Sequence, residues 1–241
     1  MELTQTRAYA AYGLDDKALV GLSVLGDMLL SPGFNVTSIR DPLAIEEFHF
    51  LDCLSLLGLE PIRSCSYPAD LGSGAGLPAL VLALVRPEAR VTAVESLRKK
   101  CAFIAEAAAA MGLSNVSVEC ARAEEYGQAG GRTAHDLVVS RALAALPVVA
   151  EYSMPLLTPG GVMIAMKGEI SNQERIQGQK ALDILGGGEL DSLKLEPFEA
   201  AENRWVYMSR KVRATPPAYP RRPGLASQRP LGDDKQRGKN H

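Results

Sequence analysis

The run Asp70-Leu71-Gly72-Ser73-Gly74-Ala75-Gly76 sets a carboxylate and three glycines at the end of a short apolar stretch. Glycine lets a chain turn sharply out of a strand and lets its backbone come close to a ligand, and open α/β sheets bind ligands at that carboxyl edge. Nineteen residues beyond Gly76, the apolar run Val91-Thr92-Ala93-Val94 ends on Glu95, a carboxylate placed to accept both ribose hydroxyls of a nucleoside. The implied chemistry is the binding of a nucleoside-bearing cofactor. Dinucleotides and S-adenosylmethionine both use such a corner. A dinucleotide fingerprint needs glycine at the first, third and sixth places, and the sixth place here is Leu77. Asp70 also sits badly beside a pyrophosphate, whereas it suits the amino group of a methionine moiety. The expected cofactor is therefore S-adenosyl-L-methionine, held by Gly72, Gly74 and Glu95.

Other positions carry weaker signals. After the apolar run Val116 to Cys120 comes Ala121-Arg122-Ala123-Glu124, where backbone and a carboxylate could meet an adenine edge, or where Glu124 is simply a solvated loop acid. Ser140-Arg141-Ala142 puts a cation at another strand end; Arg141 could bridge cofactor and RNA or pair with a neighbouring acid. Lys167 follows an apolar strand and could touch RNA phosphate, the mouth of the site, or only solvent. His49 lies in an apolar helical run, the setting of a structural histidine, and His135 follows a Gly-rich loop and is expected to face solvent. No residue is assigned as a catalytic base.

These residues need a sheet to position them. Asp15 to Leu30 reads as an amphipathic helix stopped by Ser31-Pro32-Gly33, and Asp41-Pro42 opens a second helix through Ile45, Phe48, Leu51, Leu54 and Leu57, since aspartate caps a helix and proline suits its first turn. From Ser64 the pattern changes. Strands are expected at Ser64 to Leu71, Arg90 to Val94, Val116 to Cys120, Asp136 to Ser140 and Gly161 to Met166, with helices at Leu77 to Val85, Ser96 to Met111 and Leu146 to Leu156. Such alternation predicts an α/β fold: a Rossmann-like methyltransferase core with a parallel, doubly wound sheet and an N-terminal helical extension. The expected divisions are 1–62 for the helical extension, 63–211 for the core and 212–241 for a basic Pro/Arg-rich tail.

Composition bounds the classes. With 46% hydrophobic and 22% charged residues the chain can bury a core and is not a disordered protein. It contains no apolar stretch of the roughly 18 to 20 residues that a membrane helix needs, and Met1-Glu2-Leu3-Thr4-Gln5 does not open like a signal peptide, so a cytoplasmic protein is expected. Cys53, Cys65, Cys101 and Cys120 show no metal-ligand spacing, and reduced thiols without a metal site are expected. The net charge of −2 hides an asymmetry: Arg204 to His241 holds ten Lys or Arg against two acids, giving +8, and the remainder is −10. Five prolines from Pro216 to Pro230 rule out a long helix there, so an extended arm docking on phosphate backbones is expected, the other reading being a solvated tail.

The runs Asn35-Val36-Thr37-Ser38-Ile39-Arg40-Asp41-Pro42, His49-Phe50-Leu51-Asp52, Asp70 to Pro78, Val138 to Ala142, Pro159-Gly160-Gly161, Met166-Lys167-Gly168 and Pro216 to Gly224 resemble the glucose-inhibited division protein B family, from about Ala18 to Leu231. Two departures stand out: Ala79-Leu80-Val81 replaces the family's glycine, isoleucine and proline, and Cys53 replaces a serine. The resemblance implies an enzyme that forms N7-methylguanosine in 16S ribosomal RNA of the small ribosomal subunit; apart from the resemblance, a monomer is expected. It places cofactor contacts on Gly72, Leu77, Ala123, Glu124 and Arg141. It also makes the basic segment an RNA surface, with Arg204, Arg210, Lys211, Arg221 and Arg222 joining Arg141 and Lys167. Two other classes stay open, a non-catalytic RNA-binding or ribosome-assembly factor on the same fold and a methyltransferase acting on small molecules or proteins. Intact Asp70, Gly72, Gly74, Gly76 and Glu95 weigh against the first, and the basic segment against the second.

Overall fold

In the computed structural model, which describes residues 1–31, 33, 36–199 and 201–233, seven strands form one sheet in the order β3-β2-β1-β4-β5-β7-β6. They are β1 Pro68–Leu71, β2 Val91–Val94, β3 Val116–Glu119, β4 His135–Arg141, β5 Leu157–Lys167, β6 Asp191–Lys194 and β7 Trp205–Arg210. The first five pair in parallel, while β7 runs antiparallel to both β5 and β6. The sheet is thus mostly parallel, with an antiparallel hairpin at one edge that the sequence pattern did not reveal. β1 and β2 are buried at every position, which is why they read as unbroken apolar runs; β3, at an edge, alternates.

Helices α1 Thr6–Ala11, α2 Asp16–Leu30, α3 Pro42–Ile45, α4 Asp52–Leu54 and α5 Glu60–Ser64 precede the sheet, and α6 Ala79–Val85 and α7 Arg98–Ala110 pack with them on one face. Leu22, Leu25 and Leu29 line the buried stripe of α2, whose first turn is capped by the Asp15 carboxylate accepting Ala18 N–H at 2.8 Å. α8 Ala123–Gln128, α9 Leu146–Ser153, α10 Asn172–Leu185 and α11 Leu225–Gln228 follow in the chain, and α9, α10 and α11 contribute to a second core on the other face. Pro32 and Asn35 lie outside the described residues, as do Asp234, Lys235, Arg237 and Lys239 of the basic segment.

Three expectations are corrected here. The expected strand from Ser64 begins only at Pro68, because α5 runs to Ser64. The second helix is not continuous: Asp41 does cap α3 at Ala44 N–H, 2.8 Å, but a π turn over Glu46–Leu51 and a 3-10 turn over Ser55–Gly58 interrupt it. A π turn adds a residue to one turn and re-aims the side chains on it, and such turns concentrate at functional sites. Here Glu46 faces inward, fully buried, accepting from Thr4 N–H at 2.9 Å, Gln5 N–H at 3.0 Å and Tyr9 O–H at 2.9 Å, which pins α1.

The third correction concerns the C-terminal segment, which is not an extended arm over residues 212–233. The Arg132 guanidinium donates to the Tyr219 carbonyl at 2.7 Å and the Thr215 carbonyl at 3.1 Å, and Gln128 Nε2 donates to the Pro220 carbonyl at 2.9 Å. Arg221 Nε donates to Glu151 Oε1 at 2.8 Å, and Glu151 is wholly buried. Prolines exclude a long helix but do not oblige a chain to leave the surface; a buried carboxylate and a string of donors hold this one down.

Candidate active site

The site lies along the carboxyl edge of the sheet. β1 leads into the glycine loop, β2 into Glu95, β3 toward Ala123, β4 ends on Arg141 and β5 on Lys167. Because β7 is antiparallel, its first residue, Trp205, pairs with Lys167 and reaches the same edge.

Asp70 is fully buried beneath the loop; its Oδ2 accepts Ser73 O–H at 2.7 Å and Ala79 N–H at 3.1 Å, which shapes the turn. Its Oδ1 is buried with no hydrogen-bond partner among the described residues. Burial pushes this carboxyl up to about 6, against the pull of Ser73 and Ala79. An unsatisfied buried acceptor of this kind is what an ammonium group would satisfy. Glu95 bridges the loop and the next helix, accepting Gly74 N–H at 2.9 Å, Leu97 N–H at 2.9 Å and, more loosely, Ser96 O–H at 3.5 Å, and the oxygen that meets Gly74 keeps a lone pair for a further donor. Gly74 has φ +60°, and a Cβ built on it would meet nothing nearer than the Gly72 carbonyl at 3.8 Å, so the space beside the loop is open. At Gly72, φ +68°, a Cβ would come within 2.5 Å of Leu143 Cδ1, so a larger residue there collides with protein before it meets ligand. These residues fit S-adenosylmethionine: Asp70 for the amino group, the glycine loop for the methionine backbone and Glu95 for the ribose.

A cavity of about 550 Å³ opens beside this loop. Gly72, Gly74 and Leu77 line one wall; Phe48, His49, Asp52, Arg141, Lys167, Arg204 and Trp205 line the rest. Asp52 organises that second wall. It is buried, with Arg141 Nη1 at 3.4 Å from one carboxylate oxygen and Arg204 Nε at 3.2 Å from the other. Burial pushes its carboxyl up, and Arg141 and then Arg204 oppose that. Arg141 also donates to the Phe48 carbonyl at 2.9 Å, and Arg204 lies over the Phe48 ring at 5.4 Å. Arg141 thus pairs with an acid, and it does so on the wall of the cavity.

His49 is buried on the cavity wall, its Nε2 2.9 Å from Thr37 Oγ1. Burial, reinforced by the Arg141 charge, lowers it to about 4, so it is neutral near pH 7 and a weak base. Lys167 donates to the Ala144 carbonyl at 2.6 Å and pairs with Glu174 at 3.2 Å.

Several sequence expectations place residues elsewhere. Glu124 is buried and accepts Gly224 N–H at 2.8 Å through one oxygen, so its carboxylate anchors the C-terminal segment and is not a solvated acid. Ala123, beside it at the start of α8, keeps a place near the ends of β2 and β3. Lys211 is buried, donating to the Met154 and Leu157 carbonyls at 2.9 and 2.6 Å, with burial lowering it to about 8. Arg210 is exposed, but it pairs with Val162 at the opposite edge of the sheet and donates to the Gly160 carbonyl. Arg221 is committed to Glu151, while Arg222 is exposed. Of the seven RNA candidates, Arg141, Lys167 and Arg204 share the cavity. His135 does not face solvent: it is buried between Tyr126 O–H, 2.9 Å, and the Tyr67 carbonyl, 3.0 Å.

The sequence reading gave no role to Asp52, Phe48 or Trp205. Asp52 had a signal, an acid inside Phe50-Leu51-Asp52-Cys53-Leu54, because a charge in an apolar run is buried only with a partner. The aromatic pair had none.

Calorimetric titration is expected to show binding of S-adenosylmethionine and no response to NAD. Glu95→Ala removes the carboxylate and unties Gly74, and is expected to weaken the methyl donor by at least roughly 10- to 150-fold, the loss of one charge-assisted bond of about 1.5–3 kcal/mol. Unchanged donor affinity in this variant would remove Glu95 from the site.

Comparison with known proteins agrees with this geometry. The family model described as rRNA small subunit methyltransferase G (GidB) matches residues 28–197. A Deinococcus radiodurans protein named ribosomal RNA small subunit methyltransferase G is 42% identical over 201 residues, spanning 82% of this chain and 78% of that protein. One of the same name from Rubrobacter xylanophilus is 41% identical over 82% of this chain and 77% of its own length. A Thermotoga maritima SAM-dependent O-methyltransferase superposes with a TM-score of 0.54 at 15% identity over 78% of this chain and 71% of its own. A Methanococcus jannaschii fibrillarin pre-rRNA processing protein gives 0.51 at 17% identity over 64% and 70%. The two structures share the fold, and the sequence matches decide the family: the chain belongs to the rRNA small subunit methyltransferase G family of S-adenosylmethionine-dependent methyltransferases.

Proposed function

We propose that this protein transfers the methyl group of S-adenosylmethionine to N7 of a guanine in 16S ribosomal RNA of the small subunit, acting in the cytoplasm as a monomer. The observation that carries the reading is the composition of the cavity wall. Three cations, Arg141, Lys167 and Arg204, surround a cavity whose histidine is held neutral and whose acid is engaged by two arginines. Such a wall attracts an RNA and offers no ready base. Guanine N7 needs none. Its lone pair is free and carries no proton, so attack on the sulfonium methyl requires alignment and desolvation, and proximity supplies the rate. Gly72, Gly74, Leu77, Glu95 and Ala123 hold the donor in this scheme. Arg141 faces both the loop and the acceptor, and Lys167, Arg204 and Arg222 meet RNA.

Mapping N7-methylguanosine in small-subunit RNA from cells with and without the gene tests the proposal. One guanine is expected to lose its N7 methyl group when the gene is deleted and to regain it when purified protein and donor are added to the unmethylated subunits. An unchanged methylation map overturns the substrate assignment.

A further inference from the structure

The strand order separates the two ends of the site. Glu95 and Ala123, at the ends of β2 and β3, lie on one side of β1. The cavity lies on the other side, over Arg141 of β4, Lys167 of β5 and Trp205 of β7. The donor's nucleoside therefore occupies the β2–β3 side, and the cavity is the space left for the acceptor. Two aromatic side chains bound that space, and they are not equivalent. The Phe48 ring already carries the Arg204 guanidinium at 5.4 Å and meets the Phe198 ring edge-on at 5.0 Å. Trp205 is half-buried, backed by Tyr207 at 6.4 Å and 20° between planes, and carries no cation over its ring among the described residues.

We propose that Trp205 is the surface on which the acceptor guanine stacks, and that its indole holds the methylated, cationic ring more tightly than the neutral one. This rests on the guanine-N7 reading above. RNA bases acted on by enzymes are taken out of the stack and held against aromatic side chains. In the transfer, the N7 lone pair forms the new N–C bond, the C–S bond breaks with its electron pair passing to sulfur, and the positive charge moves from the sulfonium to the purine ring. No proton moves. That charge develops in a cavity already lined by three fixed cations, only partly offset by Asp52 and Glu174. An indole face attracts a cation through the negative face of its quadrupole, more strongly than phenylalanine does. The attraction grows as the reaction proceeds, and an interaction stronger in the transition state than in the ground state raises kcat.

Trp205 is the one tryptophan in the chain, so fluorescence excited at the red edge of the indole band, where tyrosine does not absorb, reports this side chain alone. With the protein saturated in S-adenosylhomocysteine, 7-methylguanosine monophosphate and guanosine monophosphate are each expected to quench that emission, the methylated nucleotide binding about 3- to 30-fold more tightly. In Trp205→Ala, calorimetry should find the two nucleotides equal, and kcat on unmethylated small subunits should fall about 10-fold with S-adenosylmethionine affinity preserved. Trp205→Phe keeps an aromatic face and should recover part of both effects, which a collapsed fold could not. Absence of quenching, equal affinities in the parent, or parental kcat in Trp205→Ala overturns the proposal. The nucleotide titration needs no turnover. A parent that prefers the methylated nucleotide yet methylates no small-subunit RNA therefore supports the stacking surface while overturning the substrate assignment.

Discussion

Replacing Arg221 with alanine is expected to destabilise the protein by about 3–5 kcal/mol, the range for removing one partner of a buried ion pair. Glu151 has no exposed surface, and Arg221 meets it with Nε at 2.8 Å and its own backbone N–H at 2.9 Å. The variant leaves the carboxylate buried and loses the guanidinium bond to the Arg229 carbonyl, 2.9 Å, as well. For a chain of this size the unfolding midpoint should fall by roughly 6–20 °C, and denaturant titration should show the same loss. Arg221→Lys keeps the charge without the fork and should fall between. The sequence alone leads to a different outcome when Arg221 and Arg222 are replaced together by alanine, a flatter salt dependence of RNA binding with the methyl-donor affinity almost unchanged. Measuring both quantities separates them: unaltered stability with a reduced salt slope would restore the arm and remove the clamp.

Arg141→Ala is expected to cut methyl transfer at least about 100-fold, since a small misplacement of reacting groups costs that much. Arg141 ties three things together: the π turn through the Phe48 carbonyl, the Asp52 carboxylate, and the cavity wall beside the glycine loop. Without it, Asp52 keeps Arg204 alone, and the leading influence that holds its carboxyl down is gone. Stability should drop as well, by about 1–3 kcal/mol, the usual cost of disturbing a partly buried network. Single-turnover transfer, with donor affinity measured separately by calorimetry, gives the answer. Asp52→Asn and Arg141→Ala act on the same network, so the double variant should lose much less than the sum of the two single losses. Full activity in Arg141→Ala would reduce its contacts to structural ones.

What the residues themselves determined was the cofactor corner and the parallel body of the sheet. A strand buried on both faces is largely apolar, a turn of positive φ favours glycine, and a ribose calls for a carboxylate at a strand end; each of these is a local preference, so each is written locally in Asp70 to Gly76 and in Val91 to Glu95. The helix over α2 and the start of α3 were legible for the same reason, through the Asp15 and Asp41 caps and the spacing of Leu22, Leu25 and Leu29. The far wall of the cavity was not. Asp52, Arg141, Arg204, Phe48 and Trp205 come from the π turn, β4 and the start of β7, and are joined only when an antiparallel strand folds back beside β5. No spacing rule links residues 89 positions apart, as Asp52 and Arg141 are. The basic segment shows the same limit: charge counting sees ten cations near the C-terminus and cannot see that Lys211 meets two carbonyls or that Arg221 meets a buried glutamate. A cation's role is set by the partner that desolvation leaves it, and that partner is chosen by the tertiary fold.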